Sequence, residues 1–190
     1  MGESTGTLKV YLNESAGGTI TFTEKTTTDN PFDGFDVGTR SAPTFADIDG
    51  DGKPDLVVGN YDGTLKYYLN ESAGGTITFT EKTAADNPFD GFNIGTYPTP
   101  TFADIDGDGD LDLVVGEIQG TLKYYLNESA SGTITFTEKT TTDNPFDGFN
   151  IGTYPTPTFA DIDGDGDLDL VVGTYGGIST VVNHFGIWIP

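Results

Sequence analysis

The chain has 190 residues, a net charge of −22 and a sequence pI near 4.1, with thirty acidic residues against eight basic ones, a balance that argues against nucleic acid and anionic membrane surfaces as partners. It has no cysteine, which removes disulfides and thiolate metal sites, and no apolar run approaches the ~18 residues of a membrane-spanning helix. Glycine and proline total 37, threonine is abundant and no segment sustains a 3.6-residue period, so the expected class is all-β.

Residues Met1 to Gly6 carry neither a basic start nor an apolar run, so no signal peptide is expected there, and Gly6 stands where a myristoylation signal needs Ser or Thr. Strands are predicted at Leu8–Leu12 and Thr19–Lys25, joined through Asn13-Glu-Ser. That tripeptide recurs at Asn70 and Asn127. It fits the glycosylation acceptor pattern, and it is read as a polar turn after a strand.

The next feature is Asp47-Ile-Asp-Gly-Asp-Gly-Lys-Pro-Asp55. The same spacing returns at Asp104, Asp106, Asp108, Asp112 and at Asp161, Asp163, Asp165, Asp169, each copy 57 residues after the last. Alternate residues of a tight loop can aim their side chains at one point, and the intervening glycines allow the left-handed backbone such a turn requires. Two carboxylates about 4 Å apart repel by ~1 kcal/mol in water and by ~4 kcal/mol at an effective dielectric near 20, so four of them converging call for a cation. Hard oxygen donors in this number suit calcium, whereas zinc and softer metals would want cysteine or clustered histidine. The expected ligands are Asp47, Asp49, Asp51 and Asp55, then Asp104, Asp106, Asp108 and Asp112, then Asp161, Asp163, Asp165 and Asp169. Lys53, Asp110 and Asp167 each add a backbone carbonyl. The helical calcium hand shares the first part of this spacing but needs glutamate at its twelfth place, which here is Val58, Val115 or Val172. The loop therefore joins two strands. Three calcium ions per chain would bring the net charge to −16.

The period organises everything else. Residues 63–119 and 120–176 differ at only six of 57 positions. In the second of these units strands are predicted at Thr121–Leu126, Thr133–Thr137, Thr158–Ile162 and Leu168–Val172, the last nearly all apolar, as a strand covered on both faces would be. Four strands per unit of this length indicate a β-propeller blade. The chain then divides into a half blade (1–40), two blades (41–97 and 98–154) and a partial or divergent blade (155–190), within one repeat domain. Successive connections alternate between rims. The acidic loops share one rim with the Asn-Glu-Ser turns. Gly-ended turns such as Asn60–Gly63 share the other with the long crossing segments Asp29–Arg40, Asp86–Tyr97 and Asp143–Tyr154.

At Phe102-Ala-Asp-Ile-Asp-Gly-Asp-Gly-Asp-Leu-Asp-Leu-Val-Val-Gly116 the chain resembles the FG-GAP repeat, the blade unit of integrin α-subunit heads and of VCBS-type bacterial surface proteins. The resemblance implies calcium on the acidic-loop rim, ligands on the opposite rim and an extracellular or cell-surface setting. Propeller lectins of the Psathyrella velutina type are similar and bind sugars between blades, but their crossing loop carries Gly-Gly-Trp-Arg where this chain has Asn87-Pro-Phe-Asp-Gly-Phe-Asn-Ile-Gly-Thr-Tyr97.

Almost every polar group is copied in each unit, whereas catalysis needs one unsymmetrical constellation, so a non-catalytic binding module is expected. Of the unique residues His184, Trp188 and Arg40, His184 is read as structural or incidental and Trp188 as packing a chain end, while Arg40 stands in the first copy at the place of Tyr97 and Tyr154, where it would change that copy's affinity. The crossing segments offer a candidate carbohydrate site: Asp86, Asn87, Asp90, Asn93, Asn144, Asp147 and Asn150 as hydrogen-bonding groups, with Phe89, Phe92, Tyr97, Phe149 and Tyr154 as stacking faces. The competing reading is that the phenylalanines fill the core between blades while Asn-Pro and Asp-Gly make turns. A protein-binding or purely structural propeller is the rival class. Three blades are too few to close a ring, and open edges invite association, so a homodimer closing six blades is expected, with a degenerate strand at Ile178–Asn183 as a competitor for the same place.

Overall fold

A computed structural model describes residues 5–149, 151–175 and 180–182, the last three by backbone alone. Among these residues there is no α-helix, and the strands form four antiparallel sheets. Strands β1 (Val10–Asn13) and β2 (Phe22–Lys25) make a two-stranded sheet. Strands β3 (Ala42–Ala46), β4 (Asp55–Gly59), β5 (Leu65–Asn70) and β6 (Phe79–Lys82) make a four-stranded meander. Strands β7 (Thr99–Ala103), β8 (Asp112–Gly116), β9 (Leu122–Asn127) and β10 (Phe136–Lys139) repeat it. Strands β11 (Thr153–Ala160), β12 (Asp169–Tyr175) and β13 (Thr180–Val182) begin a third. The result is an all-β array of four-stranded propeller blades, flanked by a two-stranded and a three-stranded sheet.

The second strand of each blade is buried because it is covered on both faces: every residue of β4 and of β8 is buried. Leu56, Val58 and Tyr68 face the β1–β2 sheet, where they pack with Leu8, Phe32 and Val37. Val57, Leu65 and Tyr67 face the next blade and meet Leu113, Val115 and Tyr125 there. Val114, Leu122 and Tyr124 meet Leu170 and Val172 in the same way. Phe89 of the crossing segment plugs the joint between blades, with ring contacts to Tyr67, Phe92, Phe102 and Phe136, and Phe146 repeats this with Tyr124, Phe149 and Phe159. Backbones also approach closely across the joint. A Cβ on Gly59 would lie 2.2 Å from the carbonyl oxygen of Pro98, and one on Gly116 would lie 2.4 Å from that of Pro155.

Several strand bounds shift: the strand expected over Leu8–Leu12 is Val10–Asn13, that over Thr158–Ile162 is Thr153–Ala160 and that over Leu168–Val172 is Asp169–Tyr175. The fourth strand was expected over Thr133–Thr137 but is Phe136–Lys139. Thr133 instead pairs with Ala130 to close the tight turn after Asn-Glu-Ser, which pushes the strand three residues on. The same turn moves the strand expected at Thr19–Lys25 to Phe22–Lys25. The expected competitor strand is present as β13, which pairs Leu170 with Val182 and Val171 with Val181. Ile178, Ser179, Asn183, His184 and Trp188 lie outside the described residues.

Candidate metal loops and the opposite rim

Each acidic loop connects the first two strands of a blade, β3 to β4, β7 to β8 and β11 to β12. The carboxylates shape the loop before they face a cation. The Asp49 carboxylate accepts the N–H of Asp51 at 3.1 Å, that of Asp51 accepts the N–H of Lys53 at 2.9 Å, and Asp47 accepts the N–H of Gly52 at 2.8 Å. The second loop repeats this with Asp106, Asp108 and Asp104, and the third with Asp163, Asp165 and Asp161. Gly52, Gly109 and Gly166 take φ of 84°, 97° and 99°, the left-handed turn that brings the fifth loop position back toward the first.

Oxygens of Asp47, Asp49 and Asp51 come within 4.8 Å of one another, as do those of Asp104, Asp106 and Asp108 and those of Asp161, Asp163 and Asp169. The donors are all hard oxygens, and Oδ1 of Asp47 is buried without a hydrogen-bond partner. A buried, unpaired carboxylate oxygen is costly, and an oxygen-seeking cation would relieve it. The residues present therefore fit calcium.

The ninth position does more than close the loop. Asp55 is fully buried; its Oδ1 accepts the N–H of Asn70 at 2.7 Å, and its Oδ2 accepts the Tyr67 hydroxyl at 2.9 Å and the N–H of Ile48 at 3.3 Å. Asp112 has the same three donors in Asn127, Tyr124 and Ile105. Burial pushes both carboxyls above the usual carboxylate range, against these hydrogen bonds, which pull them down. Burial also raises the Tyr67 and Tyr124 hydroxyls, with the neighbouring carboxylate adding to it. The first loop differs in charge. Lys53 stands where the others carry Asp110 and Asp167, and its Nζ pairs with Asp51 Oδ2 at 2.5 Å, which lowers the Asp51 carboxyl.

Asp47–Gly50 of one loop, Gly109–Leu111 of the next and the turn Ser129–Ile134 line one hollow, so acidic loops and Asn-Glu-Ser turns share a rim. The Gly-ended turn 62–64 and the crossing segment 87–96 line a groove of about 630 Å³ together with Lys66 and Glu81. The crossing-segment candidates separate by the use the fold makes of them. Asn87 is consumed by structure: its Nδ2 donates to the Leu65 carbonyl and its Oδ1 accepts the N–H of Phe89, both at 3.0 Å, and Asn144 does the same with Leu122 and Phe146. Phe92 stacks on Tyr125 at 4.5 Å and 9°, so one of its faces is taken, and Phe149 is half-buried against Phe146. Asp90, Asn93 and Asp147 are exposed, and the first two line the groove. Asn150 lies outside the described residues.

Tyr97 and Tyr154 do not line that groove. They belong to a ladder of half-exposed to exposed rings that joins successive blades: Tyr61 to Tyr97 at 4.7 Å, Tyr97 to Tyr154 at 5.3 Å and Tyr154 to Tyr175 at 5.9 Å. The Arg40 guanidinium lies 4.9 Å above the Tyr97 ring. Arg40, Tyr97 and Tyr154 hold φ of 53°, 58° and 55°, a left-handed conformation that costs a non-glycine residue on the order of 1 kcal/mol. The sequence alone does not mark Tyr61 and Tyr175, which stand two periods apart with Ile118 between them.

A family model described as FG-GAP-like repeat matches three overlapping spans of this chain, residues 1–58, 47–115 and 104–172. No curated protein matches it.

Proposed function

The chain belongs to the FG-GAP-like repeat family, and from that premise we propose that it is a non-catalytic, calcium-stabilised β-propeller module that binds carbohydrate on the rim opposite its acidic loops. The observation that carries the ligand class is the tyrosine ladder. Four half-exposed to exposed tyrosines spaced at 4.7–5.9 Å, with one arginine, offer repeated aromatic edges and hydroxyls to an amphipathic ligand, and sugar rings have apolar faces and polar rims. Asp90 and Asn93 in the adjoining groove add exposed acceptors and donors.

Calcium would be held by Asp47, Asp49 and Asp51, by Asp104, Asp106 and Asp108, and by Asp161, Asp163 and Asp169, where it supplies charge neutralisation and a fixed loop shape. An extracellular or cell-surface setting belongs to the same reading, because calcium is plentiful there. No described helix is long and apolar enough to cross a membrane.

Each sugar contact is shallow and competes with water. Affinity would come from repetition, which adds about 10²–10⁴-fold where geometry allows simultaneous engagement. A glycan array followed by titration of the wild type and of Tyr97→Ala/Tyr154→Ala tests the reading. Binding that falls at least about tenfold in the double variant is expected. No hit on a broad array, or a hit indifferent to both tyrosines, replaces it with a protein-binding or purely structural propeller.

A further inference from the structure

We propose that the β1–β2 sheet is an interaction surface for β12 of a second copy of this chain, so that two chains close one six-bladed ring through an exchanged blade. The burial pattern points there first. Tyr11 is 46% exposed, while its copies one and two periods on, Tyr68 and Tyr125, are each 1% exposed. Phe22 is 61% exposed, while Phe136, two periods on, is 7% exposed. At the far end of the array Val171 is half-buried, although its copies Val57 and Val114 are completely covered. Apolar positions that are core inside the array are thus open at both of its ends.

The two ends are complementary in detail. A notch of about 210 Å³ beside β1 is lined by Leu8, Val10, Phe32, Phe45 and Leu56 among others. One period on, the corresponding residues Leu65, Tyr67, Phe89 and Leu113 share one core cluster with Val57, Phe102 packs against it, and Val57 pairs directly with Tyr67. The notch is therefore the place of a second-strand valine, and Val171 is that valine on β12. In complete blades Leu56, Val57, Val58 and Gly59 pair with Tyr68, Tyr67, Lys66 and Leu65. The same register sets Leu170, Val171, Val172 and Gly173 of one copy opposite Tyr11, Val10, Lys9 and Leu8 of the other. Tyr11 would then face Phe149 of the other copy, as Tyr68 faces Phe35 at 4.8 Å and Tyr125 faces Phe92 at 4.5 Å. The backbone N–H of Asn13 would come opposite the Asp169 carboxylate, as those of Asn70 and Asn127 come opposite Asp55 and Asp112.

Within one chain β13 takes this edge of β12 in the same register, with Val181 opposite Val171. It brings three paired residues and, among the described strands, no fourth strand beyond it. The β1–β2 sheet brings a third and a fourth strand together. Each contact joins one end of a copy to the other end of its partner, and with three blades per copy two such contacts close the ring without free ends.

The absence of native cysteine makes the test clean. Facing residues of antiparallel strands lie about 4.5–5.5 Å apart at Cα, within disulfide reach. Chains carrying Val10→Cys and chains carrying Val171→Cys are mixed, refolded together and oxidised. A covalent dimer that needs both substitutions is expected, and light scattering of the unsubstituted chain should give twice its 20.1 kDa. A stable single-chain mass, or an assembly in which these two positions do not cross-link, overturns the proposal.

Discussion

Two adjacent tyrosines in each complete blade look alike in sequence and differ in what they do. Tyr124 donates to the buried Asp112 carboxylate at 3.0 Å, whereas the Tyr125 hydroxyl is buried without a partner. A hydrogen bond to a charged group contributes about 1.5–3 kcal/mol, and a buried unpaired hydroxyl is a cost. Tyr124→Phe should therefore lower stability by about 1.5–3 kcal/mol, read as a shift in denaturant midpoint at constant slope. Tyr125→Phe should leave the midpoint unchanged or raise it. No loss in Tyr124→Phe would mean that only ring packing matters, and equal losses in both variants would mean that the Tyr125 hydroxyl contributes as much as that of Tyr124. The sequence pattern places both tyrosines on a strand but cannot show which hydroxyl finds the aspartate. That depends on the fold bringing β9 beside the start of β8.

At the scale of the element, the three acidic loops share one backbone but not one charge. The first replaces an aspartate by Lys53, whose ammonium already pairs with Asp51. It should bind calcium more weakly than the second and third loops, by about tenfold or ~1.4 kcal/mol, and Lys53→Asp should bring the three together. Calorimetric titration showing one class of sites in the wild type would contradict this. Much of this scale was legible beforehand. The fixed period, the loops, the blade order and the two rims follow from spacing and from the alternation of connections. Thr133-Ile-Thr-Phe-Thr137 alternates like a strand, but Thr133 is taken up by the turn and the strand runs on through Glu138 and Lys139. Those charges face outward and pair with Lys123 and Glu128. The tyrosine ladder was only half visible, because its contacts join residues that meet only when blades stack. Asn87 and Phe92 read as ligand groups from their chemistry, whereas the fold uses the amide to pin the crossing segment and the ring to cover Tyr125.

For the whole molecule, calcium should stabilise the fold, and acid should act in opposite senses with and without it. A ligand at 100 times its dissociation constant adds about 2.7 kcal/mol, so three sites add roughly 8 kcal/mol, comparable with the 5–15 kcal/mol of a typical domain. Chelation should lower the melting midpoint by on the order of 15–30 °C, and an unchanged midpoint would sink the calcium assignment. In chelator, Asp55 and Asp112 have folded values above their unfolded ones, so the folded state takes up protons first as pH falls. Mild acidification toward those raised values should then stabilise the chain. With calcium bound the sign reverses, because protons compete with the ion for the loop carboxylates; melting curves at about pH 7 and about pH 5, with and without calcium, separate the two. The repetition that builds the array also leaves an ambiguity during folding. Strands β4 and β8 are both Asp-Leu-Val-Val-Gly, and β5 and β9 are both Leu-Lys-Tyr-Tyr-Leu-Asn. No side chain distinguishes the right partner from the wrong one. Only tether length does: Leu65 follows Gly59 by 6 residues and Leu122 follows it by 63, a difference in closure entropy of about 2 kcal/mol in favour of the near strand. The order of the blades is thus selected by chain connectivity, and two unfolded chains close together in solution lose part of that selection.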